Sequence, residues 1–402
     1  MGLASRALEA QDAPRARPRP RILVHVMPWF ESKPVSGHWG WHWTMGRLDP
    51  ERVDPTGRRA IASHLYPLIG PYDSADPDVL EYQTLLMRIA GIDGVVADWY
   101  GSEDFNDYAA IHQRTRLLLE ATRRRGLSHA VCYEDRVIRA MAEKTKLSPA
   151  QAVEHALNHL RFCQDHWFKD PAYVRWRGSP VLLVFGPDYL KPDQWESLLG
   201  GLDPRPALFT LHERKPAAAG RFAWPPMWAA KDGVLDQAGL AQYLDRFGAQ
   251  EGPMIAAAFP GFHDFYQEAG VQPSHGRLEA RGGETLRFTL KRALASGAPI
   301  VQVATWNDFG EGTCIEPTRE FGYVPLETIQ IARRALDPAF PYRPEQLRLP
   351  RVVFQLRKVT PVSSPGREAL DHAVSLLDAA RNGEAAERLR ELEKARIPNP
   401  GP

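Results

Sequence analysis

The chain has 402 residues, with 50 basic against 49 acidic side chains and a formal net charge of +1. That balance argues against nucleic acid or an anionic membrane as partner, since both call for a basic stripe. Three cysteines, Cys132, Cys163 and Cys314, with no C-x-x-C spacing, argue against a disulfide scaffold and a structural zinc site, and leave the compartment open.

Residues 1–20 are rich in Ala, Arg and Pro with no apolar h-region, and are expected to form a disordered leader. From residue 21, strand-like and helical runs alternate. A first strand is predicted over Arg21–Met27, running into Pro28-Trp29-Phe30 and a loop dense in aromatics, Gly37–Trp43. Asp76-Pro77 caps and opens a helix with Val79, Tyr82, Leu86 and Ile89 on its apolar face. A second strand, Gly94–Tyr100, is followed by a helix from about Asp107 that stops at Gly126. The third strand is His129–Tyr133, and Ser148-Pro149-Ala150-Gln151 is a capping box for the next helix. Pro180–Phe185 is a fourth strand, with a short helix at Gln194–Leu199. Ala207–Leu211 is a fifth, and Phe222–Trp228 a sixth, with no helix between them. A helix over Leu235–Phe247, a seventh strand Met254–Phe259, a helix carrying Leu286, Leu290 and Leu294, an eighth strand Pro299–Trp306 and a last helix Leu326–Leu336 complete the pattern.

Eight strands alternating with helices predict a (β/α)8 barrel over residues 21–345. A doubly wound sheet binding a nucleotide is the alternative, and it wants a Gly-rich turn where this chain has Pro28-Trp29-Phe30. Residues 346–402 form a mostly helical C-terminal extension: an extra strand at Val352–Leu356, then helices over Glu368–Asn382 and Ala385–Lys394. No apolar run reaches the roughly 18–20 residues of a membrane span.

Candidate chemistry clusters after the strands, where barrel enzymes place their sites. Asp308 and Glu311 follow the eighth strand, three residues apart, among Trp306, Asn307, Phe309 and two glycines. Two carboxyl groups in a partly dry, aromatic setting can take different pKa values and divide acid and base work, which glycosidic bonds require. Trp29, His38, Trp39, Trp41 and His42 offer stacking rings and imidazoles to a sugar chain. His38 and His42 stand four apart without a third ligand, so they predict no zinc site. Asp98, Trp99 and Tyr100 end strand two; Tyr133 and Glu134 end strand three, where Glu134 either orients substrate or pairs with Arg136. His212-Glu213 and His263-Asp264 are weaker candidates. Arg123-Arg124-Arg125 suits a helix C-terminus.

Trp306–Glu311 resembles the W-N-D-[YF]-G-E segment of glycoside hydrolase family 71, the α-1,3-glucanases. Through Gly312–Pro317 the chain is similar to the N-E-W-H-E-G-T-x-I-E-P segment of family 99, the endo-α-mannosidases and endo-α-mannanases. Pro28-Trp29-Phe30, Asp98-Trp99-Tyr100 and Cys132–Asp135 resemble the same group, so the likeness spans about residues 21–340. It implies a (β/α)8 fold, no metal or cofactor, and catalysis by Asp308 and Glu311. Trp306, Asn307, Glu316 and Tyr323, in and just past this motif, are further candidates for substrate contact; the family pattern includes the Glu, and a structural role in holding the loop is the alternative for Glu316 and Tyr323. In family 99 both catalytic positions are Glu, and the first is thought to deprotonate the sugar 2-hydroxyl. Here it is Asp, one methylene shorter, so retention and inversion both stay open.

The expected function is hydrolysis of an α-linked, mannan- or glucan-like glycan at internal linkages, with an oligosaccharide or polysaccharide as partner. The rival from another class is a catalytically idle sugar-binding barrel. A further rival makes the 346–402 extension an interaction scaffold.

Overall fold

The computed structural model describes residues 19–362 and 364–396. The leader expected over 1–20 therefore lies, apart from Arg19 and Pro20, outside the described residues. Eight parallel strands form the central sheet: β1 Arg21–Val26, β2 Gly94–Trp99, β3 Ser128–Tyr133, β4 Ser179–Val184, β5 Ala207–Leu211, β6 Gly220–Phe222, β7 Ala256–Ala258 and β8 Ile300–Val303. The order is β6-β5-β4-β3-β2-β1-β8-β7. The ring closes where Arg221 N–H donates to Pro253 O at 3.2 Å and Ile255 N–H to Arg221 O at 2.9 Å. The closing strands are short, and the buried Arg221 guanidinium reinforces them. It donates to the carbonyls of Phe247, Gln250, Glu251 and Gly252 at 2.7–3.0 Å, tying the end of the helix that follows β6 to the sheet.

Helices flank the strands: α1 Pro77–Ala90, α2 Tyr108–Arg124, α3 Arg136–Thr145, α4 Pro149–His166, α5 Pro192–Gly200, α6 Gln237–Ala249, α7 Glu284–Ala295 and α8 Val324–Leu336. Their starts follow local chemistry. Asp76 accepts from Asp78 N–H at the head of α1, and the Ser148–Gln151 capping box opens α4. No helix joins β5 to β6, as expected from the sequence. α3 was not foreseen: only Val137, Ile138 and Met141 of its ten residues are buried, too few for a clear period.

Two strands, β7 and β8, are shorter than the sequence suggested, and the sixth lies earlier than expected, at Gly220–Phe222 in place of Phe222–Trp228. β6 ends at Phe222 because Pro225 and Pro226 follow, and proline has no N–H for the ladder. β7 and β8 keep only the residues that pair across the sheet, and the chain then turns into the loops of the mouth. Met227 and Trp228, expected in that sixth strand, lie in a 3-10 turn, and Val352–Leu356 was also expected as a strand. It is part of helix α9, Leu349–Arg357. Val353 and Leu356, three apart, pack with Leu85 of α1 and with Leu370, Leu377 and Leu389 of α10 Pro365–Asp378 and α11 Asn382–Arg396. Tertiary burial outweighed the β-branched run. The extension is thus packed on the barrel through α1, and no helix of the described residues is long and apolar enough to cross a membrane.

Candidate active site

A cavity of about 290 Å³ opens at the C-terminal ends of the strands. Each wall comes from a different connection. Trp29 follows β1, and Trp41 and His42 lie on a short helix, Trp41–Thr44, in the same connection. Asp98 is the last residue but one of β2, with Tyr100 just beyond the strand; Glu134 follows β3, and Arg136 begins α3. Trp224 follows β6, and Tyr266, Gln272 and His275 come from the connection after β7. Asp308 and Glu311 follow β8.

The loop bearing the last two is held by its own backbone. Asp308 N–H donates to Thr305 Oγ1 at 2.8 Å, and Glu311 N–H to Asp308 Oδ1 at 3.0 Å. The connection after β7 clamps it from the side: His263 N–H donates to Glu311 O at 2.8 Å and Phe265 N–H to Gly310 O at 2.9 Å. Gly312 has φ +65°, and a Cβ there would stand 2.6 Å from His263 O. Glycine is therefore required for the clamp to close.

The carboxylates are set apart by their partners. Glu311 Oε2 accepts from Trp224 Nε1 at 3.2 Å, and Tyr266 OH approaches Oε1 at 3.4 Å. Burial raises the pKa of Asp308 well above the usual carboxylate range, and the charge of Glu311 raises it further. Burial also raises Glu311, while the Trp224 indole N–H works the other way. Asp98 and Glu134 are raised by the same burial, against the opposing charge of Arg136. Arg136 forms an ion pair with Glu134 and stands over Phe185. Among the described residues it is the one guanidinium beside the four acidic side chains that line the cavity. Buried carboxyl groups this close oppose one another's ionisation, which is how one site holds an acid beside a base.

Of the residues singled out in the sequence, Trp29, Trp41, His42, Asp98, Tyr100, Glu134, Asp308 and Glu311 line this cavity. Trp29 and His42 stack at 4.1 Å between ring centroids, and Trp41 is 45% exposed. The others do not line it. His38 is held outside by Ser36 O and Glu31. Trp39 donates to Glu51 at 2.6 Å and lies under Arg59. Trp99 alternates away from Asp98 and packs on Trp167, with its N–H on His112. Tyr133 is buried behind the sheet against His159.

Trp306 is core, and Asn307 splices the loop to β1 by accepting from Met27 N–H at 2.8 Å and donating to Met27 O at 3.1 Å. Glu316 is buried against Tyr72 and Gln83. Tyr323 caps α8 under Arg348. His212 faces Tyr243 and Glu213 pairs with Lys215. Asp264 accepts from Ser274 and His275 N–H, folding the connection that presents Tyr266 and His275. Glu134 pairs with Arg136 and also lines the cavity. Sequence reasoning missed Trp224, Tyr266, Gln272 and His275. Trp224 was visible only as part of the sixth strand, and nothing local marked the other three.

The model of glycosyl hydrolase family 99 matches residues 22–204, a stretch that ends before the Asp308–Glu311 loop. Over 378 residues the chain is 24% identical to a glycoprotein endo-alpha-1,2-mannosidase-like protein of Mus musculus, covering 81% of this chain and 78% of that protein. It is 26% identical over 187 residues to the glycoprotein endo-alpha-1,2-mannosidase of Mus musculus, covering 43% and 37%. The solved family 99 endo-alpha-mannosidase of Bacteroides thetaiotaomicron superposes with a TM-score of 0.58 at 17% identity, over 79% of this chain and 98% of that one. That superposition carries the barrel fold. Together with the site, these matches define the class as (β/α)8 glycoside hydrolases. Within that class the chain is a family-99-like protein.

Proposed function

We propose that this chain cleaves an α-linked, mannose-containing glycan at internal linkages, with Asp308 and Glu311 as the reacting carboxyl groups. The observation that carries the assignment is the pair itself: two buried carboxyl groups three residues apart, the charge of one raising the pKa of the other, among aromatic walls at the mouth of the barrel. Glu311, braced by Trp224 and Tyr266, is the general acid/base that protonates the leaving glycosidic oxygen. Asp308 is the partner that takes a proton from the sugar 2-hydroxyl or from water, or attacks as nucleophile. Trp29, Trp41 and Tyr100 supply faces on which sugar C–H groups stack, and Asp98 and Glu134 accept from hydroxyls. The mannosidase names of the relatives support the sugar and the internal cut.

The test is incubation of purified protein with α-mannans, α-1,3-glucans and other α-linked polysaccharides, beside Glu311→Gln, with products read by mass. Oligosaccharides from the unaltered chain on mannan, and none from the variant, support the proposal. Binding without products in both would move the assignment to a sugar-binding barrel.

A further inference from the structure

Outside the cavity, His212 and Trp228 meet on the rim of the barrel. His212 follows β5 at once, and Trp228 lies in the 3-10 turn Met227–Ala229 after β6. Parallel strands end on one face, so both residues stand at the mouth. β5 lies between β4 and β6 in the sheet. The cavity wall on that side is Phe185, just after β4, and Trp224, after β6, with ring centroids 5.1 Å apart. Trp228 stands four positions beyond Trp224, a reach of at most about 14 Å, and Pro225 and Pro226 restrict the backbone between them.

Trp228 is 64% exposed, and its indole meets the His212 and Tyr243 rings at 4.3 and 5.7 Å between centroids, near-perpendicular to both. A lone exposed ring would mean nothing, but this one has a fixed polar neighbour. His212 sits at φ +60°, a left-handed conformation uncommon outside glycine. Its N–H donates to Phe222 O at 2.7 Å, and its Nδ1 is hydrogen-bonded to Tyr243 OH at 2.8 Å. Burial lowers its pKa to about 4, so near neutral pH the ring offers a hydrogen bond rather than a charge. An aromatic face beside a fixed neutral hydrogen-bonding group suits a sugar, which presents C–H faces and hydroxyls together.

We infer that Trp228 and His212 form a further sugar-binding site on the rim, taking a unit of the glycan remote from the bond that is cut. The inference rests on the glycan-cleaving activity proposed above and narrows its substrate to a chain long enough to run from the cavity across the Phe185–Trp224 wall to Trp228. The indole supplies the stacking face. Because Tyr243 takes Nδ1 of His212, Nε2 is the nitrogen left for a hydroxyl. A contact remote from the reacting bond holds ground state and transition state alike, so it lowers KM for long chains and leaves kcat alone.

The test compares the unaltered chain, Trp228→Ala and Ile331→Ala on α-mannan and on α-linked mannotriose, with a parallel binding titration of both glycans. Trp228→Ala is expected to raise KM on the polymer about threefold to tenfold, the usual worth of an aromatic contact, with kcat held. The preference for polymer over trisaccharide should narrow by the same factor. Ile331→Ala, which removes an equally exposed side chain from α8, is expected to keep that preference. Hydrolysis with an unchanged polymer preference in Trp228→Ala overturns the rim site and leaves the activity standing. Mannan bound but not cut, with its affinity weakened by the same factor in Trp228→Ala, keeps the rim site and overturns the activity. Binding of neither glycan overturns both.

Discussion

The backbone N–H of Glu311 donates to Asp308 Oδ1 at 3.0 Å. One carboxylate therefore fixes the peptide that carries the other, and the pair moves as a unit. Glu311→Gln and Asp308→Asn keep that contact and remove a titrating group. Each is expected to lower the hydrolysis rate by at least about 10²-fold, the usual contribution of general acid–base catalysis. Melting temperature should be unchanged, and initial rates on the active glycan would check both statements.

Trp224 is the strongest hydrogen-bond partner of the Glu311 carboxylate, and its indole N–H favours the charged form. Trp224→Phe removes the donor and keeps most of the ring. Loss of about 1.5 kcal/mol of hydrogen bonding to a charged acceptor lowers kcat roughly tenfold if it is felt in the transition state. Because the donor holds the Glu311 pKa down, its loss moves the Glu311 limb of the kcat/KM profile to higher pH. An unmoved limb would assign that limb to another group.

Glu316 ties stability to pH. Burial pushes its pKa from 4.5 up to about 8, against hydrogen bonds from Tyr72 and Gln83. The folded chain binds this proton more tightly than the unfolded chain. The contribution is complete below pH 4.5 and is lost as pH rises through 8. Within that window stability should fall by at most about 1.4 kcal/mol per pH unit. Urea denaturation at several pH values would show the slope, and Glu316→Gln should flatten it.

Arg357 joins the C-terminal helices to the barrel through Glu81, with Nε and Nη2 bonds of 2.9 and 3.1 Å. Glu81 is partly exposed and also has Arg125 at 4.0 Å, so Arg357→Ala should cost about 1.5–3 kcal/mol, the range for hydrogen bonds to charged groups. Truncation after residue 345 would expose Leu85 of α1, now covered by α9 and α10. The expected outcome is a destabilised barrel, read as a lower urea midpoint. A truncated chain of unchanged stability would return the extension to the scaffold reading.

Much of the barrel was legible because its helices carry local punctuation, such as Asp76-Pro77 and Ser148–Gln151, and its inner strands are short β-branched runs. Val352–Leu356 was misread for the same reason. A β-branched run marks a strand only when a sheet is there to receive it, and here the receiving surface is helical. Among the site residues, Trp29, Asp98, Glu134, Asp308 and Glu311 were visible because each stands at or just after a strand end. Trp99 and Tyr133 stand there too and were misassigned, because alternation sends them behind the sheet.

The sequence by itself determined the periodicity, the helix caps and a carboxylate pair in aromatic company, because these depend on neighbours within a few residues. Only the tertiary structure decided which rings face the cavity, that Trp224 and Tyr266 brace Glu311, and that Trp228 stands beside His212. Those residues are brought together by strand register and ring closure, and pairing between distant strands leaves no mark on the local sequence of either.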